Sequence, residues 1–242
     1  MNIQALSEYS NHYEENNIEI WYGYFNNYID HIQYLNSLLS EQEMSRLQKF
    51  VFEKEKLMYT VSHGILRIIL GNKINIAPEQ INYHFNQNEK PFVDIPDCYF
   101  NLSHTNNFFT IGFSNKHTVG VDTETHNRKM DWEHVAKLFF SENEVLSMYA
   151  ALPHEQLKTF IAYWTRKEAI LKAIGCGMVN NLKEIDSVDD VFNTDNLFIT
   201  ENNLTEQFIR YYLQTFSLNE MIISISHPVS FGISANEFNL NL

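Results

Sequence analysis

Two acidic segments about forty residues apart hold the side chains best suited to chemistry, GVDTE at Gly120 to Glu124 and WTRKEAILK at Trp164 to Lys172. The alternation of HTVGVDTE predicts a strand with Val119, Val121 and Thr123 on one face and Gly120, Asp122 and Glu124 on the other. Two carboxylates on one face repel, and one is driven to bind a proton unless a cation or a basic neighbour joins them. The second segment reads as a helix, because Leu157, Phe160, Ile161, Trp164, Leu171 and Ile174 recur at three-to-four spacing. Glu168 interrupts that apolar stripe, where a charge is costly unless it is paired or bound to metal. Lys172 lies one turn further on. Carboxylates for a cation and an ammonium for a phosphate would then share one site. Each pair also has an ordinary reading, as a surface ion pair on a helix and as a solvated strand face.

The neighbouring segments bear on that choice. KPF at Lys90 to Phe92, YFNLSHT at Tyr99 to Thr105, GVDTE, FFSENE at Phe139 to Glu144 and WTRKEAILK follow in one order. In that order and spacing the chain resembles the Sfp-type phosphopantetheinyl transferases. The resemblance implies that the phosphopantetheinyl arm of coenzyme A passes to a serine of an apo acyl or peptidyl carrier domain, releasing adenosine 3',5'-bisphosphate. It implies Asp122, Glu124 and Glu168 as magnesium ligands, with manganese as the alternative, since both ions favour oxygen donors. Lys172 matches the lysine that meets the pyrophosphate, and Glu168 or Glu144, directly or through water, is the candidate general base. Lys49, Thr60, Lys90, Pro91, Ser103 and His104 match the coenzyme A side. Glu89 stands where the family's turn before Lys90 has glycine, and Tyr59 stands where an arginine often precedes Thr60. Glu144 has a second reading, since Ser141 and Glu144 have the spacing of a helix capping box.

The elements that must position these groups give an α+β class, with helices and strands grouped rather than alternating. Strands are expected near Ile18 to Phe25, Ile81 to Phe85, Tyr99 to Ser103, Phe108 to Phe113 and Thr118 to Glu124. The helices of the first half are expected over Ser40 to Phe50 and Lys54 to Leu70. A second set of helices is expected over Trp132 to Phe139, Glu142 to Ala151 and Glu155 to Ile174. Strands near Leu197 to Thr200, Gln207 to Phe216, Met221 to Ser226 and Phe231 to Ser234 follow. LLSEQEMSRL at Leu38 is echoed by FFSENEVLSM at Phe139, and GILRIILG at Gly64 by AILKAIG at Ala169. With the resemblance, this echo implies two similar α+β halves in pseudo-twofold arrangement, 1–120 and 121–242, with the active site at their interface. One chain then supplies both halves, so a monomer suffices.

The chain has 242 residues, 44% of them hydrophobic, with 18 Phe and 13 Tyr, enough for a substantial core and unlike a disordered segment. Lys+Arg number 17 against 30 Asp+Glu, and the net charge of -13 works against a general nucleic-acid surface. Two cysteines, Cys98 and Cys176, lack metal-ligand spacing and fit a reducing, cytoplasmic compartment. No stretch has the length of a membrane span. Two other functions use the same residues: a metal-dependent phosphohydrolase with water as nucleophile, and a silent module that binds a carrier or a nucleotide.

Overall fold

The alternating run NIEIWYGY forms β1 (Asn17–Tyr24), with Ile18 and Ile20 buried. A computed structural model describes residues 16–127, 130–177, 182–187, 196–200 and 209–240. After β1 come a 3-10 stretch (Phe25–His31), α1 (Ile32–Ser37), α2 (Glu41–Leu47) and the long α3 (Glu53–Ile74). The short hairpin β2 (His84–Phe85) and β3 (Pro91–Phe92) leads to β4 (Tyr99–Thr105), β5 (Phe108–Ser114) and β6 (Gly120–Thr125). The second set of helices is α4 (Trp132–Phe139), α5 (Glu142–Ala150) and α6 (Gln156–Ile174). The last strands are β7 (Asn196–Thr200), β8 (Ile209–Leu218), β9 (Met221–His227) and β10 (Gly232–Glu237).

Two four-stranded sheets organise these elements into an α+β fold, one ordered β10-β1-β5-β4 and the other β6-β9-β8-β7. β10 runs parallel to β1, so the end of the chain returns to the first sheet and crosses the 1–120/121–242 division. Ile18, Ile20 and Phe108 of the first sheet share a buried cluster with Val121, Phe216, Ile223 and Ile225 of the second. That apolar seam holds the sheets together. α3 covers the first sheet through Val61, Ile65 and Leu66 against Phe109, Ile111 and Phe113. α6 covers the second, and Phe160, Ile161 and Tyr163 pack with Ile222, Phe140 and Met148. Gly120 is what brings α6 so near: any Cβ there would strike the backbone at Ala169 and Ala173. Among the described residues no helix is long and apolar enough to cross a membrane.

The structure departs from the expected elements in two places. The strand near Ile81 to Phe85 shrinks to two residues, because Ile81 turns inward and its carbonyl accepts a 3.1 Å hydrogen bond from the Arg67 guanidinium instead of joining a ladder. The helical stretch from Phe25 to Ser37 was not anticipated. It is polar and short, and Phe25, Tyr28 and Leu35 anchor it from tertiary contact rather than from a periodic stripe. Gln207 and Phe208 of the expected Gln207 to Phe216 strand lie outside the described residues.

Candidate active site at the seam between the sheets

β4 and β6 lie side by side but share no ladder; side chains join them instead. Asn101 Oδ1 accepts the Val121 N–H at 2.8 Å, and Ser103 Oγ accepts the Thr123 N–H at 3.2 Å. The same alternation turns Asp122 and Glu124 toward β4. Ser103 Oγ donates to Asp122 Oδ1 at 2.9 Å, and Thr105 Oγ1 donates to Glu124 Oε2 at 2.9 Å. Alternate residues of one edge strand thus fix both carboxylates of the other.

α6 brings the remaining groups. Lys172 Nζ donates to Asp122 Oδ1 at 2.6 Å and to Ser103 Oγ at 3.0 Å. Glu168, half-buried, makes no hydrogen bond among the described residues. Burial, then the negative charge of Asp122 and Glu124, pushes its pKa up to about 7, with Lys172 opposing. Burial is the larger cause, and repulsion from the two β6 carboxylates adds to it. No three His, Cys, Asp or Glu side chains are gathered in ready metal geometry among the described residues. The Lys172 ammonium offsets part of the carboxylate charge through Asp122. Asp122 Oδ2 and both Glu168 oxygens are left without hydrogen-bond partners among the described residues and remain available to accept a proton or ligate a cation.

His104 follows Ser103 and is exposed, its ring edge-on to Phe25 at 6.2 Å. Desolvation, then nearby His63 and Lys172, hold its pKa below the usual histidine value. His63 on α3 is therefore a neighbour of the site that the sequence reading did not include. The available signal was its place on an inward face, four residues before the buried Arg67. The argument applied to Glu168 applies there as well.

The other expected site residues are elsewhere. Glu144 is no base. It is 0% exposed, its Oε2 takes the Ser141 N–H at 2.9 Å and the Lys167 ammonium at 2.7 Å, and its Oε1 takes the Ser187 N–H and hydroxyl at 3.1 and 2.8 Å. The capping box is complete, and no oxygen is left for a substrate proton. Ser103 spends its hydroxyl on Asp122 and Lys172. Lys90 directs its ammonium to backbone and hydroxyl oxygens beside the end of α6, and burial pushes its pKa down to about 8. Pro91 pairs with Phe85 in the small hairpin. Thr60 is buried on α3, and Lys49 is exposed just past α2. Neither makes a hydrogen bond to the carboxylate cluster. Glu89 adopts φ 64, so the left-handed turn that glycine would supply is formed by a glutamate, at a cost of about 1 kcal/mol.

The chain is similar to known proteins across both sheets. Residues 118–226 match the family described as 4'-phosphopantetheinyl transferase superfamily, and residues 26–116 match 4'-phosphopantetheinyl transferase, N-terminal. Among relatives, the 4'-phosphopantetheinyl transferase HetI of Nostoc sp. is 35% identical over 160 residues, 64% of this chain and 67% of that protein. The transferase gsp of Aneurinibacillus migulanus is 33% identical over 145 residues, 60% of each. Sfp of Bacillus subtilis is 25% identical over 211 residues, 81% of this chain and 91% of that protein.

Proposed function

Because this chain belongs to the 4'-phosphopantetheinyl transferase superfamily, we propose that it transfers the phosphopantetheinyl arm of coenzyme A to a serine hydroxyl of an apo acyl or peptidyl carrier domain. The observation that carries this reading is the meeting of Asp122, Glu124, Glu168 and Lys172 at the seam, where burial, with the neighbouring carboxylates, raises Glu168 to about 7. Such a site calls for added positive charge and would receive a phosphate-bearing substrate through it.

The donors suit a small hard cation, being carboxylates with no thiolate in the set. Magnesium, or manganese, held by Asp122, Glu124 and Glu168 would supply positive charge against the coenzyme A pyrophosphate and the group in transfer. The carrier serine oxygen bonds to the phosphorus of the pantetheine phosphate as the bond to adenosine 3',5'-bisphosphate breaks. Glu168 takes the serine proton, directly or through water, and burial that raises its proton affinity suits it to that role. Lys172, a point charge within reach of Asp122, turns toward the leaving phosphate. Ser103 and Thr105 hold the two β6 carboxylates in place meanwhile. His104, beside Lys172 and open to solvent, meets a coenzyme A phosphate. Two free cysteines agree with work in a reducing cytoplasm, and one chain provides the whole set of groups.

The test is intact mass of apo carrier domains after incubation with coenzyme A, magnesium and the protein, with a serine-to-alanine carrier as control. One phosphopantetheinyl group should appear on the serine carrier alone. Asp122→Asn and Glu168→Gln should each lower kcat/KM at least about a hundredfold without loss of fold. Full activity in either would remove that residue from the site, and coenzyme A cleavage without any carrier would replace the transferase by a hydrolase.

A further inference from the structure

A helix leaves its last four carbonyls without partners of its own, and in α6 these lie directly behind the site. Gly175 ends the helix in the left-handed conformation, φ 77, with its N–H on Leu171 O at 2.8 Å. The carbonyls beyond are satisfied from the other side of the molecule. Lys90 Nζ is 2.5 Å from Lys172 O and 3.4 Å from Ala173 O, and it also meets Val119 O at 3.3 Å and Thr118 Oγ1 at 3.1 Å. Thr118 Oγ1 donates to Ala173 O at 2.7 Å. Asn86 Nδ2 and Asn88 Nδ2 each donate to Gly175 O at 2.9 Å.

The turn that carries these groups is built for the purpose. Asn86 Oδ1 accepts the N–H groups of Asn88 and Lys90, both at 2.9 Å, and Glu89 supplies the positive φ between them. One asparagine therefore shapes the turn with its oxygen and grips the helix end with its nitrogen. Lys90 has no carboxylate partner among the described residues. All its contacts are neutral oxygens, at the negative end of a helix dipole, where a cation is stabilising. It has four oxygens for three protons, so none is left over for an added phosphate.

We propose that Lys90 is a positioning residue whose ammonium, with Asn86 and Asn88, clamps the last turn of α6 onto the hairpin β2–β3 and so holds Lys172 against Asp122. The inference rests on the transferase reading only for its consequence in catalysis; the clamp itself is a matter of helix ends. Glu168 and Lys172 sit within the final two turns of α6, so fraying there moves both. A displacement of about 1 Å in such groups is enough to cost roughly a hundredfold in rate.

The experiment compares Lys90→Met, Lys172→Ala, the double variant and wild type by amide hydrogen exchange, coenzyme A calorimetry and carrier transfer. In Lys90→Met, exchange of Ala173 to Gly175 should rise about tenfold while the first turns of α6 stay as in wild type. Turnover should fall roughly tenfold to a hundredfold with the KM for coenzyme A within about threefold. On the Lys172→Ala background the same change should cost clearly less than it does alone, since one of the two groups it positions is gone and only Glu168 remains to be displaced. If Lys90 instead grips coenzyme A, exchange stays unchanged, coenzyme A affinity drops, and the two substitutions add; that outcome overturns the clamp. Asn88→Ala removes one bond to Gly175 O and should give a smaller rise in exchange at the same amides, which keeps the test open if Lys90→Met does not fold. Exchange and calorimetry need no carrier. A wild type without transfer would therefore count against the transferase reading and leave the clamp to be decided by the exchange data.

Discussion

The two halves use the same device to bind a capped helix to a long one, but they place it in different surroundings. In the first, Glu43 closes a capping box on Ser40 at the start of α2 and pairs with Arg67 of α3 at 2.6 Å. Arg67 then reaches Pro78 O and Ile81 O, at 2.7 and 3.1 Å, and lies over the Tyr83 ring. In the second, Glu144 closes a box on Ser141 at the start of α5 and pairs with Lys167 of α6. Lys167 reaches Leu182 O and Ile185 O, at 2.7 and 2.5 Å, and lies over the Phe140 ring. Each assembly thus ties a short helix, a long helix and the loop beyond into one unit.

The surroundings decide what each pair contributes. Burial alone would raise the Glu43 pKa, but hydrogen bonds from His63, Arg67 and the Ser40 amide prevail and bring it down to about 2. That pair favours the charged fold. In the second half burial holds the Lys167 ammonium below its usual value even with Glu144 against it. Desolvation there outweighs attraction, as is common for buried ion pairs, so this pair sets geometry more than it stabilises. α6 is also the helix that carries Glu168 and Lys172, and a fixed geometry is what those residues need.

The largest break in the comparison should come from Glu144→Gln. Lys167, 1% exposed, would lose the carboxylate paired with it, and stability should fall by about 3–5 kcal/mol, read from denaturant midpoints. The fraction that folds should lose some turnover as α6 loosens but far less than Glu168→Gln, because Glu144 is held in its capping box and acts on the site only through the helix. A folded Glu144→Gln as inactive as Glu168→Gln would return Glu144 to the site.

Acid should then separate the halves. Glu43 has its folded pKa lowered from 4.5 to about 2, so its contribution is complete above about pH 4.5 and is lost as pH falls toward 2. At about 1.4 kcal/mol per unit the contribution is on the order of 3 kcal/mol. Glu43→Gln should cost roughly that much at pH 7 and flatten the stability curve between pH 4.5 and 2. An unchanged slope over that window would show that Glu43 is not what acid titrates.

Much of this was readable in the chain, and the failures have physical causes. Both capping boxes could be read because Ser-x-x-Glu before an apolar run is a local signal. The carboxylate face of β6 could be read because a strand has period two, and Glu168 because it breaks a stripe. The echo was placed out of register in its second part. GILRIILG set beside AILKAIG pairs Arg67 with Lys172, whereas the structure gives Arg67 the role of Lys167, 24 and 23 residues after their respective capping glutamates. Apolar helix patterns repeat every turn and align at several offsets; only the buried partner fixes the register. The contacts of Lys90 were not legible for a related reason. Its partners are carbonyls of a helix end 82 residues away, and backbone oxygens leave no mark in a sequence.

The smallest expected difference is between the groups on the far oxygen of each glutamate. His63 Nδ1 lies 3.2 Å from Glu43 Oε1 with its side chain 21% exposed, whereas Ser187 gives Glu144 both its N–H and its hydroxyl, 4% exposed. His63→Gln removes a bond that water can replace in part and should cost about 0.5–1 kcal/mol. Ser187→Ala removes a bond to a buried charge that water cannot reach, and the cost should be about 1.5–3 kcal/mol, read by the same denaturant midpoints. The backbone N–H remains on Oε1 in that variant, which favours the lower end. Equal costs would mean that solvent enters the second assembly as readily as the first. The contrast between a pair that stabilises and a pair that positions would then rest on the lysine alone.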